Sequence, residues 1–220
     1  MDSKKQEQLH YLMSFNGGFL GVYAILNFCD LFGSAQTANM IYLVTDILGH
    51  NLAEFVLRAG GLLLYMCAVA LAVWLPRHST VNLRLLSICF DGLAALVLGF
   101  LPKGISPVLG LYPLFFAMAF QWSCFSGAAG FNSSTIFSTN NLKQFTMASA
   151  ELVLNRNKSH LPKAKFYGKT LLSFHSGVAV SYLLWLSFGL HTSWLCLLPL
   201  AAAFALELSA CRESNESPAL

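Results

Sequence analysis

The chain has 220 residues, of which 56% are hydrophobic and 10% are charged, whereas soluble domains carry about 25% charged residues. Its 13 basic and 10 acidic side chains are too few to cover a soluble core of this size. The composition therefore excludes an ordinary soluble domain, and the net charge of +3 does not indicate nucleic-acid binding.

Six segments are apolar over about 20 residues, the length that a helix needs to cross a bilayer. Clusters of Pro, Gly and charged residues separate them. The pattern predicts an all-α polytopic membrane protein with one membrane domain, residues 1–210, and a disordered cytoplasmic tail, residues 211–220. The six predicted transmembrane helices are residues 14–32, 55–75, 83–101, 107–125, 166–188 and 192–210.

The distribution of lysine and arginine predicts the orientation, because cationic loops stay on the cytoplasmic side. With the N-terminus inside, the six spans leave Arg58 and Lys103 outside and place the other eleven of the 13 basic residues in the cytoplasm. The chain is therefore expected in the bacterial inner membrane, as a multi-pass protein with both termini cytoplasmic.

Two polar breaks interrupt the apolar pattern. "GSAQTAN", residues 33–39, follows the first span, and "FSTNN", residues 137–141, follows the fourth; a short amphipathic segment comes after each. Non-helical backbone at membrane depth must be buried in protein or line water. Two interpretations stay open: the polar side chains line a solute path, or they cap interfacial helices. The path residues would be Gln36, Thr37, Asn39, Ser138, Thr139 and Asn141.

The two breaks also suggest an internal repeat. An offset of 102 places the T-x-N of residues 37–39 on that of residues 139–141, and an offset of 111 places Arg58 on Lys169. Each half, 14–101 and 107–210, then holds three spans and a short broken or re-entrant helix. An odd number of spans inserts the halves in opposite directions, as in many transporters. Chance similarity of apolar segments is the alternative.

Ionisable residues at membrane depth are the candidate coupling groups. Asp91 stands in the middle of the third span, where a carboxylate costs roughly 2.5 to 3.5 kcal/mol and needs a partner. His175 and Arg58 are the candidate partners, and imidazole suits a proton step because it titrates near neutral pH. A neutral, hydrogen-bonded Asp91 that fixes helix packing is the alternative. Glu54 lies four residues before Arg58 and is expected to pair with it on one helix face.

Several stretches resemble the YoaK-like family of small bacterial membrane proteins. They are "GGFLGVYAILNF", "AQTANMIYL", the "FAMAFQ" of residues 116–121 and "NSSTIFSTNNL". Ala38 stands where the family usually has Gly, Gly21 and Val22 where it usually has an Asp-Ala pair, and Trp122 where it often has Asn. The resemblance implies the fold and the membrane location, whereas the family's molecular activity is not established. No role of a first-span Asp carries over to this chain.

Together these features predict a transporter or channel-like protein for a small polar or anionic solute. Its partners are the lipid bilayer and that solute, and a homo-oligomer is left open. No nucleophile–base pair, metal-ligand set or cofactor motif is visible, so we expect no enzyme, no catalytic or metal site, no cofactor and no nucleic-acid partner. The alternative is a non-transporting scaffold or sensor that uses the basic residues 155–165 to bind a partner.

Overall fold

The computed structural model describes residues 3–28, 36–102 and 104–216. It is 83% helical, which confirms the all-α class. Two two-residue strands, β1 Gly127–Ala128 and β2 Phe131–Asn132, form an antiparallel pair. The helices are α1 Ser3–Asn27, α2 Gln36–Leu48, α3 Leu52–His78, α4 Leu83–Gly99, α5 Pro107–Gly110, α6 Tyr112–Cys124, α7 Thr139–Val153, α8 Leu161–Phe188, α9 Thr192–Leu195 and α10 Leu197–Glu216.

Three stretches of helix within the described residues are long and apolar enough to cross a membrane: Ser3–Asn27, Leu52–His78 and Lys158–Glu213. The third contains both α8 and α10, with a break at Gly189, whose φ is 53°. Large apolar side chains on the outer faces are exposed, such as Leu172 at 69% and Leu183 at 63%, as expected for contact with lipid. The chain is therefore a membrane protein, while the count of six crossings stays a prediction.

Short helices follow both polar breaks, as the sequence predicts. α2 has 13 residues and α7 has 15, too few to span about 30 Å of hydrocarbon. Several helices begin at conventional signals. The Asn82 side chain accepts hydrogen bonds from the backbone N–H groups of Arg84 and Leu85 at the start of α4, and prolines stand in the first turns of α5, α6 and α8.

Helix ends differ from the predicted span ends at both termini. α1 begins at Ser3 rather than near residue 14, because Lys4 to Gln8 are good helix formers. α10 continues to Glu216, past the predicted span end at residue 210, and Lys5 of α1 pairs with Glu213 there. Residues 29–35, Lys103 and residues 217–220 lie outside the described residues, including the predicted end of the first span.

The helices pack as a bundle with α1 in the interior. α1 contacts α8 along much of its length and also contacts α10; α3 and α4 each contact α6, α4 contacts α10, and the short helices α2 and α7 pack on α3 and α8. The main core cluster includes Phe19, Tyr23, Leu98 and Met118, each at most 1% exposed. Helices in lipid associate by such close packing, because lipid gives no hydrophobic drive between them.

Candidate functional site

The first polar break ties α2 to α3. Gln36 and Asn39 are buried in the first turn of α2, whereas Thr37 is exposed. The Asn39 amide donates to Gln36 Oε1 at 3.1 Å and to the Arg58 carbonyl of α3 at 3.2 Å. Asn39 therefore connects the break to the next long helix, and Thr37 faces away from that connection.

The second polar break is held in a similar way. Asn141 is buried in the first turn of α7, whereas Thr139 is exposed and Ser138 is half-buried. The Asn141 amide donates to the carbonyls of Ser134 at 2.7 Å and Phe137 at 3.0 Å. Asn141 thus satisfies freed backbone carbonyls of its own break, which is what polar side chains at such positions are expected to do, whereas Asn39 bonds a carbonyl of the neighbouring helix α3.

The extended segment before α7, residues 133–137, is inserted into the bundle. Thr135 and Ile136 are fully buried, and the Thr135 carbonyl packs so closely on Gly17 of α1 that a β-carbon there would overlap it. Gln121 of α6 donates to Thr135 Oγ1 at 2.9 Å and to the Met13 carbonyl at 3.1 Å. Gln121 ends the "FAMAFQ" stretch, but its role was not predictable from local sequence, because its partners lie 14 and 108 positions away.

His10 joins the same network from α1. Its Nε2 lies 3.0 Å from Ser133 Oγ, and Ser133 Oγ donates to Asn141 Oδ1 at 2.9 Å. Because the hydroxyl has one proton and gives it to Asn141, His10 Nε2 must be the donor to Ser133. The ring stacks on Phe166 with centroids 5.3 Å apart. Sequence reasoning missed His10 because it precedes the first predicted span.

Asp91 occupies the middle of α4 and is fully buried. Neither of its carboxylate oxygens has a hydrogen-bond partner in the described part of the chain, and the same holds for the hydroxyl of Ser87, one turn earlier. Nearby on the chain's other helices, the Cys196 thiol donates to Asn16 Oδ1 of α1 at 3.4 Å. α4 packs on both α6 and α10, so the unpaired carboxyl group of Asp91 is enclosed within the bundle.

Polar side chains continue from Asp91 toward the beginning of α4. Arg84, Ser87 and Asp91 follow an i, i+3, i+7 spacing and so share one helix face; seven residues of α-helix separate the first from the last by about 10 Å. Arg84 Nη1 lies 3.9 Å from Glu207 Oε2 of α10, and the Asn82 amide donates to Glu207 Oε1 at 3.0 Å. We call Arg84, Ser87, Asp91 and Glu207 the polar stripe.

The predicted partners of Asp91 lie elsewhere. His175 is exposed on α8, and its Nδ1 lies 2.8 Å from the Leu171 carbonyl of its own helix. Arg58 Nε donates to Asp46 of α2 at 3.0 Å, and Arg58 Nη2 lies 3.8 Å from Glu54. The predicted Glu54–Arg58 pair is therefore present, but the structure brings neither His175 nor Arg58 to Asp91.

Cavities lie between the helices and along the surfaces of the described part of the chain, and five of them have volumes of about 200 to 530 Å³. None of these five is lined by any of the six residues predicted for the solute path. The largest, between α7 and α8, has both lysine and apolar side chains in its wall. The buried polar side chains meet at the polar stripe, which we take as the candidate site, and the six solute-path residues at the breaks stay a prediction.

Comparison with known proteins places the chain in a family. Residues 9–206 match the model of a family described as "Protein of unknown function (DUF1275)", so the chain belongs to that family. The YoaK-like resemblance is consistent with this membership. No curated protein and no solved structure matches the chain.

Proposed function

We propose that this member of the DUF1275 family moves a small polar or anionic solute across the bacterial inner membrane, with Asp91 as the coupling group. The observation that carries the proposal is the Asp91 carboxyl group, buried at the centre of the bundle with no hydrogen-bond partner among the described residues. Burying an unpaired carboxylate is so unfavourable that the group takes up a proton, a cation or a polar ligand.

The polar stripe gives Asp91 a route to one end of the bundle. Arg84 is about one-third exposed, at 32%, whereas Glu207 is 5% exposed, so the pair marks the change from accessible to buried surroundings. A proton or cation moving along α4 passes from this pair to Ser87 and then to Asp91. The asparagines of the two breaks, Asn39 and Asn141, hold the short helices in place in this scheme, and Thr37 and Thr139 lie outside the route.

The packing of the helices supports the inverted repeat that the transport scheme includes. The principal contacts map onto each other when the helices of the two halves are exchanged: α1 with α6, α2 with α7, α3 with α8 and α4 with α10. The α1–α8 contact then corresponds to α3–α6, α2–α3 to α7–α8, and α1–α10 to α4–α6. The α4–α10 contact maps onto itself. Two halves of three spans each would cross the membrane in opposite directions, which is the plan of many secondary transporters.

Uptake into reconstituted vesicles tests the function. Solutes that raise the thermal midpoint of the purified chain would be assayed for uptake under an imposed pH gradient. We expect Asp91→Asn to lower uptake by roughly tenfold or more, the effect of losing about 1.4 kcal/mol of barrier stabilisation. Glu54→Gln removes a carboxylate near the α2–α3 junction and is the control that keeps uptake. Equal uptake by wild type and Asp91→Asn would contradict the coupling role, and no uptake of any stabilising solute would favour the scaffold alternative.

Labelling of introduced cysteines tests the inverted repeat. Thr37→Cys and Thr139→Cys, each in a background without native cysteines, place exposed thiols at corresponding positions of α2 and α7. We expect a membrane-impermeant maleimide added to intact cells to label position 37 and not position 139, because the second break faces the cytoplasm in the six-span scheme with the N-terminus inside. Permeabilised cells, in which both positions react, are the control. Labelling of both positions from the same side would contradict opposite insertion.

A further inference from the structure

The groove between α7 and α8 combines positive charge with apolar walls. Lys165 and Lys169 lie one turn apart on α8, and Gly168 between them packs against the ring of Phe145. The facing wall from α7 contains Phe145, Ser149 and Leu152. The cavity is about 530 Å³, within the range of sites that hold a small molecule.

The charge and the apolar surface follow one another along α8. Lys165 and Lys169 are in the first turns of the helix, near the connection to α7, and Leu172, which is 69% exposed, follows one turn deeper into the apolar part of α8. Side chains four residues apart on a helix have β-carbons about 5–6 Å from each other. Lys169 Nζ lies 5.9 Å from the centroid of the Tyr11 ring, and a rotation of this flexible side chain lets both ammonium groups contact one phosphate group. An apolar chain attached to that phosphate would continue past Leu172 and Phe145.

The surroundings of the groove favour an anionic occupant. Between residues 143 and 169 the described chain has six basic side chains, Lys143, Arg156, Lys158, Lys163, Lys165 and Lys169, and a single acidic one, Glu151. Apolar side chains of α7 are also exposed, including Leu142 at 55%, Met147 at 52% and Val153 at 71%. A short amphipathic helix with exposed apolar residues beside a basic cluster is typical of an element lying at the membrane interface.

We propose that the α7–α8 groove is a binding site for an anionic phospholipid, with the phosphate between Lys165 and Lys169 and an acyl chain along Phe145 and Leu172. The site is independent of the transport scheme, because it lies on the outer surface of α8 and shares no residue with the polar stripe. A lipid held there links α7, and with it the second polar break, to the surrounding bilayer.

Thermal shift of the purified full-length chain in detergent tests this site. Phosphatidylglycerol is expected to raise the thermal midpoint. Phosphatidylcholine is not, because it lacks net charge, and inorganic phosphate is not, because it lacks an acyl chain. The Lys165→Gln/Lys169→Gln variant should weaken phosphatidylglycerol binding by roughly tenfold or more. The Lys143→Gln/Lys158→Gln variant removes the same charge from exposed lysines outside the groove, where only longer-range attraction is lost, and should weaken binding much less than the groove variant does.

Each alternative has its own outcome. A shift with inorganic phosphate alone would identify a free-anion site, and an equal loss in the control variant would reduce the effect to general surface charge; either result overturns the proposal. Native mass spectrometry of the wild-type chain adds a measurement that needs no variant. One phosphatidylglycerol molecule retained in preference to phosphatidylcholine supports the site, and equal retention of the two lipids contradicts it.

Discussion

Replacing Gly177 with alanine is expected to lower the free energy of unfolding by about 3 kcal/mol, the upper part of the usual range for overpacking. A β-carbon at this position of α8 would overlap the Phe15 carbonyl oxygen of α1 and lie 3.0 Å from the Phe19 nitrogen. Both are backbone atoms of a helix, so no side-chain rotation relieves the overlap. α1 and α8 would have to separate.

The close approach is reciprocal, which is why the expected effect is large. A β-carbon on Gly18 of α1 would overlap the Phe174 carbonyl oxygen of α8. Small residues thus allow each backbone to reach the other, as at many helix interfaces in membranes. Separation of α1 from α8 would also disturb Phe166, which stacks on His10, so the loss extends to the polar network around the second break.

Gly92 provides the matched control for the alanine substitution. A β-carbon on this glycine of α4 would meet only Leu197 Cδ2, at 3.7 Å, which is ordinary van der Waals contact. Because alanine is favoured over glycine in a helix by up to about 1 kcal/mol, Gly92→Ala should be as stable as wild type or more stable. The measurement is the thermal midpoint of both variants and of wild type in the same detergent. A Gly177→Ala midpoint equal to that of wild type would show that α1 and α8 do not pack as described.

The helices were largely predictable from sequence, but their ends were not. Hydropathy and the polar breaks located the long helices and the two short ones, α2 and α7, because burial in lipid imposes a length and polar residues interrupt it. Hydropathy does not predict the parts of a helix that extend beyond the membrane. Lys4 to Gln8 and Cys211 to Glu216 are polar or mixed, yet they extend α1 and α10, since helix propensity acts on both sides of the bilayer surface.

The candidate site was predictable only in part. A lone carboxyl group in an apolar span singled out Asp91, and its burial agrees with that reasoning. Its surroundings depend on which face of each helix turns inward, and this is decided by contacts between distant residues. His175 turns outward on α8, and the link from Cys196 to Asn16 joins residues 180 positions apart. Neither fact has a local signal in the sequence.

Replacing Asp91 with leucine is expected to raise the free energy of unfolding by about 1–3 kcal/mol, the usual cost of a buried polar group left unsatisfied. Leucine has the same number of side-chain heavy atoms as aspartate and needs no hydrogen bond, and the neighbouring α4 residues Phe90 and Ala94 belong to the apolar core. The measurement is the thermal midpoint of the variant against wild type in the same detergent. A marked fall in the midpoint would show that the carboxyl group makes a bond on which the fold depends.

Glu207→Leu is the matched comparison, because it removes the other buried carboxyl group of the polar stripe. Glu207 accepts a hydrogen bond from Asn82 and faces Arg84, so its loss leaves polar partners behind and should lower stability. Replacing these two buried acids, which lie on facing helices, is thus expected to change the free energy of unfolding in opposite directions. If Asp91→Leu is more stable than wild type but has lost uptake, Asp91 lowers stability in favour of activity, as is common at functional sites. If Asp91 instead has a packing role, both Asp91→Leu and Glu207→Leu should be less stable than wild type.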